Sequence, residues 1–114
     1  MRLGREFHID SSHQLDGHPK CGRLHGHTYR IEVVLEGDED ERGMVLDFAD
    51  FRKEVDAFLE HLDHAHLNEY IEVPTVENLA RYILKGLRDT VPQVVQVRVW
   101  EGLRKFAEYS EPLV

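Results

Sequence analysis

The chain has 114 residues, and 14 Lys and Arg against 22 Asp and Glu give it a formal charge of −8. This acidic balance argues against broad binding of nucleic acids or anionic membranes, because both require a continuous basic surface that displaces counterions. A single Cys excludes an intrachain disulfide, and apolar runs of at most three residues exclude a transmembrane helix.

Two strands are predicted in the first third of the chain, over residues 3–13 and 25–36. In both segments the odd-numbered positions are mainly apolar. They end at His13 in the first segment and begin with His25 and His27 in the second. Because side chains in a strand alternate with a period of two, the three imidazoles are predicted to lie on the apolar face.

Two helices and two further strands are predicted to follow. The first helix has Asp47 as a plausible N-cap and apolar residues at helical spacing: Phe48, Phe51, Val55, Phe58, Leu59 and Leu62. The second starts near Thr75 and ends before Pro92, with one apolar face formed by Val76, Leu79, Ala80, Ile83 and Leu87. Strands are predicted over residues 95–101 and about 106–111. The β-β-α-α-β-β order predicts an α+β fold, in which an antiparallel sheet has two helices on one face.

The three histidines are candidate metal ligands. The two imidazoles of His25 and His27 would lie about 7 Å apart on a strand and can rotate inward onto one ion. If the first two strands pair as a hairpin, His13 approaches the same point. Three neutral nitrogen ligands leave the fourth zinc position open, which is typical of a catalytic site. The alternative is that all three are ordinary surface or capping histidines.

Cys21 lies in a glycine-containing loop four residues before His25, with Lys20 and Arg23 nearby. Cationic neighbours and a metal ion favour the thiolate, which can serve as a base or a nucleophile. Two other interpretations stay open: a small buried apolar residue, or a fourth zinc ligand that would close the metal site.

Two carboxylates complete the set of candidate functional residues. Asp63 directly precedes His64, and a carboxylate that contacts an imidazole fixes its tautomer and raises its basicity; the alternative is a polar helix terminus. Glu101 continues the inward-facing positions of the third strand, where it can accept two parallel N–H donors from a guanidine-like heterocycle. The alternative for Glu101 is a salt bridge, for example to Arg104.

Together these residues resemble the 6-pyruvoyl-tetrahydropterin synthase family, and more narrowly its carboxy-forming branch in the queuosine pathway. The most specific motif is Cys21-x-x-x-His25-Gly26-His27, whose three-residue gap is typical of that branch. The resemblance runs from about Phe7 to Tyr109. Supporting blocks lie at residues 43–48, 62–64, 74–80 and 99–101.

The resemblance implies zinc bound by His13, His25 and His27, and Cys21 as proton acceptor. It also implies His64, oriented by Asp63, as the second acid/base group, and Glu101 as anchor for the pterin ring with a possible coupling to that relay. The substrate would be 7,8-dihydroneopterin triphosphate, converted to 6-carboxy-5,6,7,8-tetrahydropterin, acetaldehyde and triphosphate. The alternatives are pyruvoyl-forming activity on the same substrate, a non-catalytic zinc-binding module and a pterin aldolase.

The family fold is the T-fold, whose four-stranded sheets join edge to edge into barrels. It implies a homo-oligomer, a trimer or a hexamer, with sites between subunits. Thr75 and Glu77 resemble a motif lining the pterin pocket but are equally consistent with an N-cap and a first-turn acid. Lys20 and Arg23 are the candidates for steering the phosphates. Gly102 departs from the family pattern, in which Thr is more usual.

The organisation of the chain leads to two further expectations. A single T-fold domain is expected over residues 1–114, because no linker, repeat or low-complexity segment divides the sequence. A cytoplasmic enzyme is expected, because the N-terminus lacks the apolar stretch of a signal peptide. Its partners are expected to be a small pterin triphosphate and further copies of the chain.

Overall fold

The structure is a computed structural model that describes residues 1–20 and 22–113. Four strands form one antiparallel sheet in the order β1-β2-β3-β4: β1 Arg2–His13, β2 His25–Glu36, β3 Val94–Glu101 and β4 Lys105–Ser110. Between β2 and β3 lie helix α1, Phe48–Leu59, helix α2, Val76–Leu87, and a short 3-10 turn at Leu67–Glu69. The predicted β-β-α-α-β-β order is therefore confirmed.

Both predicted helix starts are confirmed by their caps. The Asp47 side chain accepts a hydrogen bond from the Ala49 N–H at 2.8 Å, and Thr75 Oγ1 accepts one from the Asn78 N–H at 3.1 Å. These oxygens satisfy backbone donors that the first helical turn leaves without partners inside the helix.

The core lies between the odd-numbered face of the sheet and the apolar faces of the two helices. Ile31, Val33 and Leu35 of β2 are fully buried, as are the helix residues Phe51 and Leu79. Burying this face is what fixes the register, since a slip of one residue would turn every apolar side chain of a strand to the opposite side.

Two predicted helix positions are wrong in detail. Phe48 is 51% exposed and lines a surface pocket with Leu3 and Met44 instead of packing in the core. Helix α1 ends at Leu59, whose carbonyl oxygen accepts hydrogen bonds from the N–H groups of both Leu62 and Asp63. Leu62 is still buried, because the chain turns at that point and directs it back into the core.

The face of the sheet opposite the helices carries charged and aromatic side chains. The Arg30 guanidinium lies 4.4 Å from the centroid of the Trp100 ring, and its Nε is 2.9 Å from Glu6. Arg98 stacks on Phe106 at 4.6 Å and forms an ion pair with Glu108 at 2.6 Å. Within the described residues, no helix is long and apolar enough to cross a bilayer.

Adjacent valines on β2 provide a matched test of the two faces. Val33 is fully buried and Val34 is half-buried on the opposite face. We expect Val33→Ala to lower the free energy of unfolding by about 2–3 kcal/mol, from lost burial and a residual cavity. Val34→Ala should cost less than about 1 kcal/mol, because only strand propensity and a partly exposed contact are lost. Urea titrations of both variants measure this difference; equal losses would contradict the assignment of faces.

Candidate active site

The β1–β2 hairpin brings three histidines together. Its register pairs His13 with His25 and Ser11 with His27, so all three imidazoles extend from the same face at the same end of the sheet. The ring centroids are 4.6 Å apart for His13–His25, 4.9 Å for His13–His27 and 4.7 Å for His25–His27. One ring nitrogen of each residue lies within 4.8 Å of the others, as predicted from the strand pattern.

Hydrogen bonds outside the cluster orient two of the rings. His13 Nδ1 is 2.8 Å from the Pro74 carbonyl oxygen and 3.3 Å from the Tyr29 hydroxyl, and His25 Nδ1 is 2.6 Å from the Arg23 carbonyl oxygen. A carbonyl only accepts, so it favours the tautomer with the proton on Nδ1 and leaves the Nε2 lone pair free. The two Nε2 atoms face each other at 3.0 Å.

The third ring has no such partner among residues 1–20 and 22–113. His27 Nε2 is buried there without a hydrogen-bond partner, and a carboxylate oxygen of Glu101 is 3.6 Å away. Burial lowers the pKa of His27; Glu101 opposes this shift, and His13 and His25 add to it. A lowered pKa means that the neutral imidazole predominates at pH 7, and the neutral form is the one that ligates a metal.

These observations fit a bound divalent cation. An ion placed among the rings would take up the free lone pairs of His13 and His25 and the unsatisfied nitrogen of His27, which burial otherwise makes costly. Three nitrogen donors suit zinc among other transition metals and leave a coordination position for a further ligand.

Glu101 lies beside this cluster, at the C-terminal end of β3. It pairs with Tyr29 across the sheet, and its side chain is only 15% exposed. The predicted inward orientation is thus confirmed. Its observed cationic neighbour is Lys105 at 3.5 Å, not Arg104.

The turn after α1 forms a second polar group. His64 Nδ1 is 3.1 Å from Asp63 Oδ1, and His64 has a positive φ of 54°, so the irregular backbone that such a pair requires is present. The Asp10 N–H donates to Asp63 Oδ1 at 2.9 Å, and this hydrogen bond is the main reason that the pKa of Asp63 is lowered. The His64 N–H donates to the Asp10 carbonyl oxygen at 2.6 Å.

The three-histidine cluster and the Asp63–His64 pair lie on different sides of the β1–β2 hairpin. Asp10 and its cross-strand partner Thr28 are even-numbered, so their side chains extend to the face opposite the three metal-site imidazoles. His64 joins Asp10 there, in a cleft of about 600 Å³ whose wall also includes His27. Asp63 lies beside these two residues. Within residues 1–20 and 22–113, no hydrogen bond or ring contact connects His64 with the histidine cluster.

Other predicted site residues have less defined positions. Thr75 is the N-cap of α2, and Glu77 is an exposed acid in its first turn; the hydrogen bond from His13 to Pro74 places both near the histidine cluster. Lys20 and Arg23 are exposed in the loop before β2. Cys21 lies outside the described residues.

Several polar residues of the region were not identified from the sequence. Asp10, Thr28 and Asn68 are partners of the turn and loop backbones, and the signal for them is weak because isolated polar residues at strand ends are common. Gly102 lies in the β3–β4 turn with φ of 69°, which explains Gly where a family member more often has Thr.

Comparisons with known proteins agree with this geometry. A family model described as 6-pyruvoyl tetrahydropterin synthase matches residues 2–112. An Archaeoglobus fulgidus protein named putative 6-carboxy-5,6,7,8-tetrahydropterin synthase is 40% identical over 108 residues, which cover 95% of this chain and 94% of that protein. Relatives of 33% and 37% identity that match over most of both chains carry the same enzyme name.

Two further matches concern activity and fold. A Pyrococcus furiosus protein named dihydroneopterin monophosphate aldolase is 43% identical over 82 residues, which cover 69% of this chain and 71% of that protein. The solved structure of the Caenorhabditis elegans 6-pyruvoyl tetrahydropterin synthase matches with a TM-score of 0.88 and 26% identity, covering 98% of this chain and 96% of that one. This match confirms the predicted T-fold.

The histidine cluster predicts how metal binding responds to substitution and pH. We expect His25→Ala and His27→Ala to lose stoichiometric Zn²⁺ after desalting, measured by elemental analysis, because each removes one of three ligands. Binding by the unsubstituted protein should weaken in acid, at a pH below the ordinary histidine value of about 6.5, because protons compete for His27 and burial lowers its pKa.

His8→Ala is the matched control, because His8 is exposed on the opposite face of β1. Equal metal loss in the control, or full metal retention in either ligand variant, would contradict the assignment.

Proposed function

The chain belongs to the 6-pyruvoyl tetrahydropterin synthase family, and on that premise we propose that it is a zinc-dependent lyase of queuosine biosynthesis. Its substrates would be 7,8-dihydroneopterin triphosphate and one water molecule, and its products 6-carboxy-5,6,7,8-tetrahydropterin, acetaldehyde and triphosphate. The observation that carries the proposal is the three-histidine cluster with Glu101 beside it, 3.6 Å from His27. The names of the relatives that match over most of the chain support the same choice of product.

His13, His25 and His27 would hold the zinc ion. When bound, zinc supplies Lewis-acid polarisation of the hydroxyl groups on the substrate side chain, which acidifies the neighbouring C–H and O–H bonds. The carbonyl groups of Pro74 and Arg23 orient two of these rings, which favours the tautomer whose Nε2 can ligate a metal.

Proton transfers fall to Cys21 and His64. Cys21, in the loop that leads into His25, removes a proton from the substrate side chain, and His64 donates or accepts one on the opposite side. Asp63 holds His64 at 3.1 Å and in one tautomer. Glu101 is connected to these proton transfers only through His27, 3.6 Å away. Its main role is therefore recognition of the pterin.

Glu101 suits the pterin ring because its carboxylate is mostly removed from solvent. A pterin presents an amino group and a ring N–H side by side, and a carboxylate can accept both in a bidentate, charge-assisted pair. Thr75 and Glu77, at the start of α2 near the histidine cluster, would line the same pocket.

The triphosphate leaves without attack on phosphorus, so the reaction needs no P-loop, and the sequence contains none. It does need a local cationic region on a chain of charge −8. Lys20 and Arg23, both exposed in the loop that contains Cys21, are the proposed contacts.

The active site would be shared between protomers. The histidine cluster and the Asp63–His64 pair extend from opposite faces of one hairpin, and a second copy that supplied one of them would bring both to the same substrate. β1 and β4 form the two edges of the sheet, and their opposite directions allow antiparallel pairing between copies and closure into a ring. The segment around Ala65 covers the β1 edge at Ser12. The proposed assembly is a trimeric barrel, or a hexamer of two such barrels, as the family resemblance implies.

A second candidate is aldol cleavage of a dihydroneopterin phosphate, favoured by the 43% identical relative named as an aldolase. Both reactions need a base near the same side-chain carbons. They differ in the fate of the phosphate, which leaves as free triphosphate in the first reaction and stays on a two-carbon aldehyde in the second.

The products therefore decide between the candidates. We expect the zinc-loaded protein, incubated with 7,8-dihydroneopterin triphosphate, to yield 6-carboxy-5,6,7,8-tetrahydropterin, acetaldehyde and triphosphate by mass analysis. A phosphorylated two-carbon aldehyde would instead establish the aldolase, and a pyruvoyl-tetrahydropterin without acetaldehyde would establish the pyruvoyl-forming reaction. Absence of turnover on the mono- and triphosphates would favour a non-catalytic zinc module.

Mixed oligomers test the shared site. Cys21→Ala and His64→Ala should each keep zinc and lose turnover, because neither residue is a proposed ligand. After joint refolding, random assembly should restore roughly a quarter of the sites, since half of the protomers carry each intact group. Mixing Cys21→Ala with His25→Ala is the control. It should restore no activity, because Cys21 and His25 would come from the same protomer at each site. If the mixture of Cys21→Ala and His64→Ala shows no activity, a single protomer forms the whole site.

A further inference from the structure

The carboxamide of Asn68 extends the edge of β1 beyond the last residue of the strand. The Gln14 N–H donates to Asn68 Oδ1 at 2.9 Å, and Asn68 Nδ2 donates to the Gln14 carbonyl oxygen at 2.9 Å. One residue thus satisfies both backbone groups of Gln14, as a neighbouring strand would. Two positions earlier the same edge is paired by main chain, where the Ser12 N–H donates to the Ala65 carbonyl oxygen at 3.0 Å.

The side chain of Gln14 continues this contact across the loop. Gln14 Nε2 donates to the Gly22 carbonyl oxygen at 2.7 Å, and the Gly22 N–H donates to the His18 carbonyl oxygen at 2.9 Å. A Cβ atom at Gly22 would lie 2.5 Å from that same oxygen of His18, so the close backbone approach requires glycine. Gln14 therefore ties the two ends of the loop between β1 and β2 together.

The two contacts form a continuous path between functional groups. Asn68 lies four residues after His64, and Gln14 directly follows His13. Gly22 follows Cys21 in sequence. Beyond it, the Arg23 carbonyl oxygen orients His25 at 2.6 Å. The path starts on the segment with the acid/base pair and ends on the segment with the thiol and a metal ligand.

From these contacts we propose that Asn68 and Gln14 are positioning residues that set the conformation of the Cys21 loop relative to the metal site. Neither side chain contacts the proposed metal position; each acts through a backbone group. The part of the proposal that concerns turnover rests on the proposed function of Cys21, whereas the part that concerns loop conformation does not.

A positioning role predicts a local effect. Both side chains are half-buried and lie outside the core, so losing one or two hydrogen bonds should leave the sheet and helices folded. Misplacement of a reacting group by about 1 Å can cost roughly 100-fold in rate. Stability and turnover should therefore respond very differently.

The test uses Asn68→Ala and Gln14→Met in the full-length, zinc-loaded protein. Cys21 is the only cysteine of the chain, so its rate of alkylation by iodoacetamide reports on this loop alone. We expect that rate to change several-fold in both variants, with kcat lowered about 10- to 100-fold and KM little changed. Zinc content should stay stoichiometric, because the three ligands are retained.

Gln96→Met is the matched control. Gln96 is also half-buried, but it lies at the far end of the sheet, paired with Val34 and Ser110, and should leave alkylation and kcat unchanged. Wild-type alkylation rates in both variants would overturn the proposal, even if turnover fell. If Asn68→Ala does not fold, Gln14→Met alone decides, because it removes only the bond to Gly22.

Failure of the proposed function gives a different pattern. If the unsubstituted protein turns over neither dihydroneopterin phosphate, the proposed function fails. The rate of Cys21 alkylation in the Asn68 and Gln14 variants still shows whether these residues set the loop conformation. A changed alkylation rate with unchanged kcat on a confirmed substrate would overturn the catalytic consequence of the positioning.

Discussion

The antiparallel register between β1 and β2 is the constraint on which the rest of the structure depends. It pairs His13 with His25, and the two-residue period of the strands then puts His27 on the same face. A shift of β1 by one residue would separate His13 from the two β2 histidines and turn Phe7 and Ile9 toward solvent. The core and the candidate metal centre are therefore specified by the same hydrogen-bond ladder, and neither can change register without the other.

Burial of the odd-numbered face determines the chemistry of that centre. His13 is fully buried, and the carbonyl of Pro74 and the hydroxyl of Tyr29 lie around its Nδ1. Desolvation favours the neutral form of His27, while Glu101 limits this effect from 3.6 Å. A His27 imidazole that burial favours in its neutral form, and whose Nε2 has no hydrogen-bond partner within the described residues, can ligate a cation. The same low exposure makes Glu101 a strong acceptor for paired N–H donors.

The outer edge of β1 also contacts a second segment at the same end of the sheet. Backbone and side-chain groups of Asp10, Ser12 and Gln14 hold the segment that carries Asp63, His64 and Asn68. Within this segment His64 has a positive φ, which the contacts with β1 help to hold. The Asp63–His64 pair lies on the even-numbered side of the hairpin, whereas the three imidazoles extend from the odd-numbered side.

The sequence alone determined the strands, the helix caps, the face of the three histidines and the inward direction of Glu101, because period-two and helical spacing are local signals. It placed Phe48 in the core wrongly, since periodicity does not show where a helix passes the rim of its sheet. Only the tertiary structure decided that Lys105 is the cationic neighbour of Glu101, and that Asp10 and Asn68 support the catalytic turns. Only the tertiary structure separated Asp63 and His64 from the metal cluster. The contacts of Asp10 and Asn68 join residues more than 50 positions apart through one or two hydrogen bonds, and no local pattern in a sequence encodes such pairs.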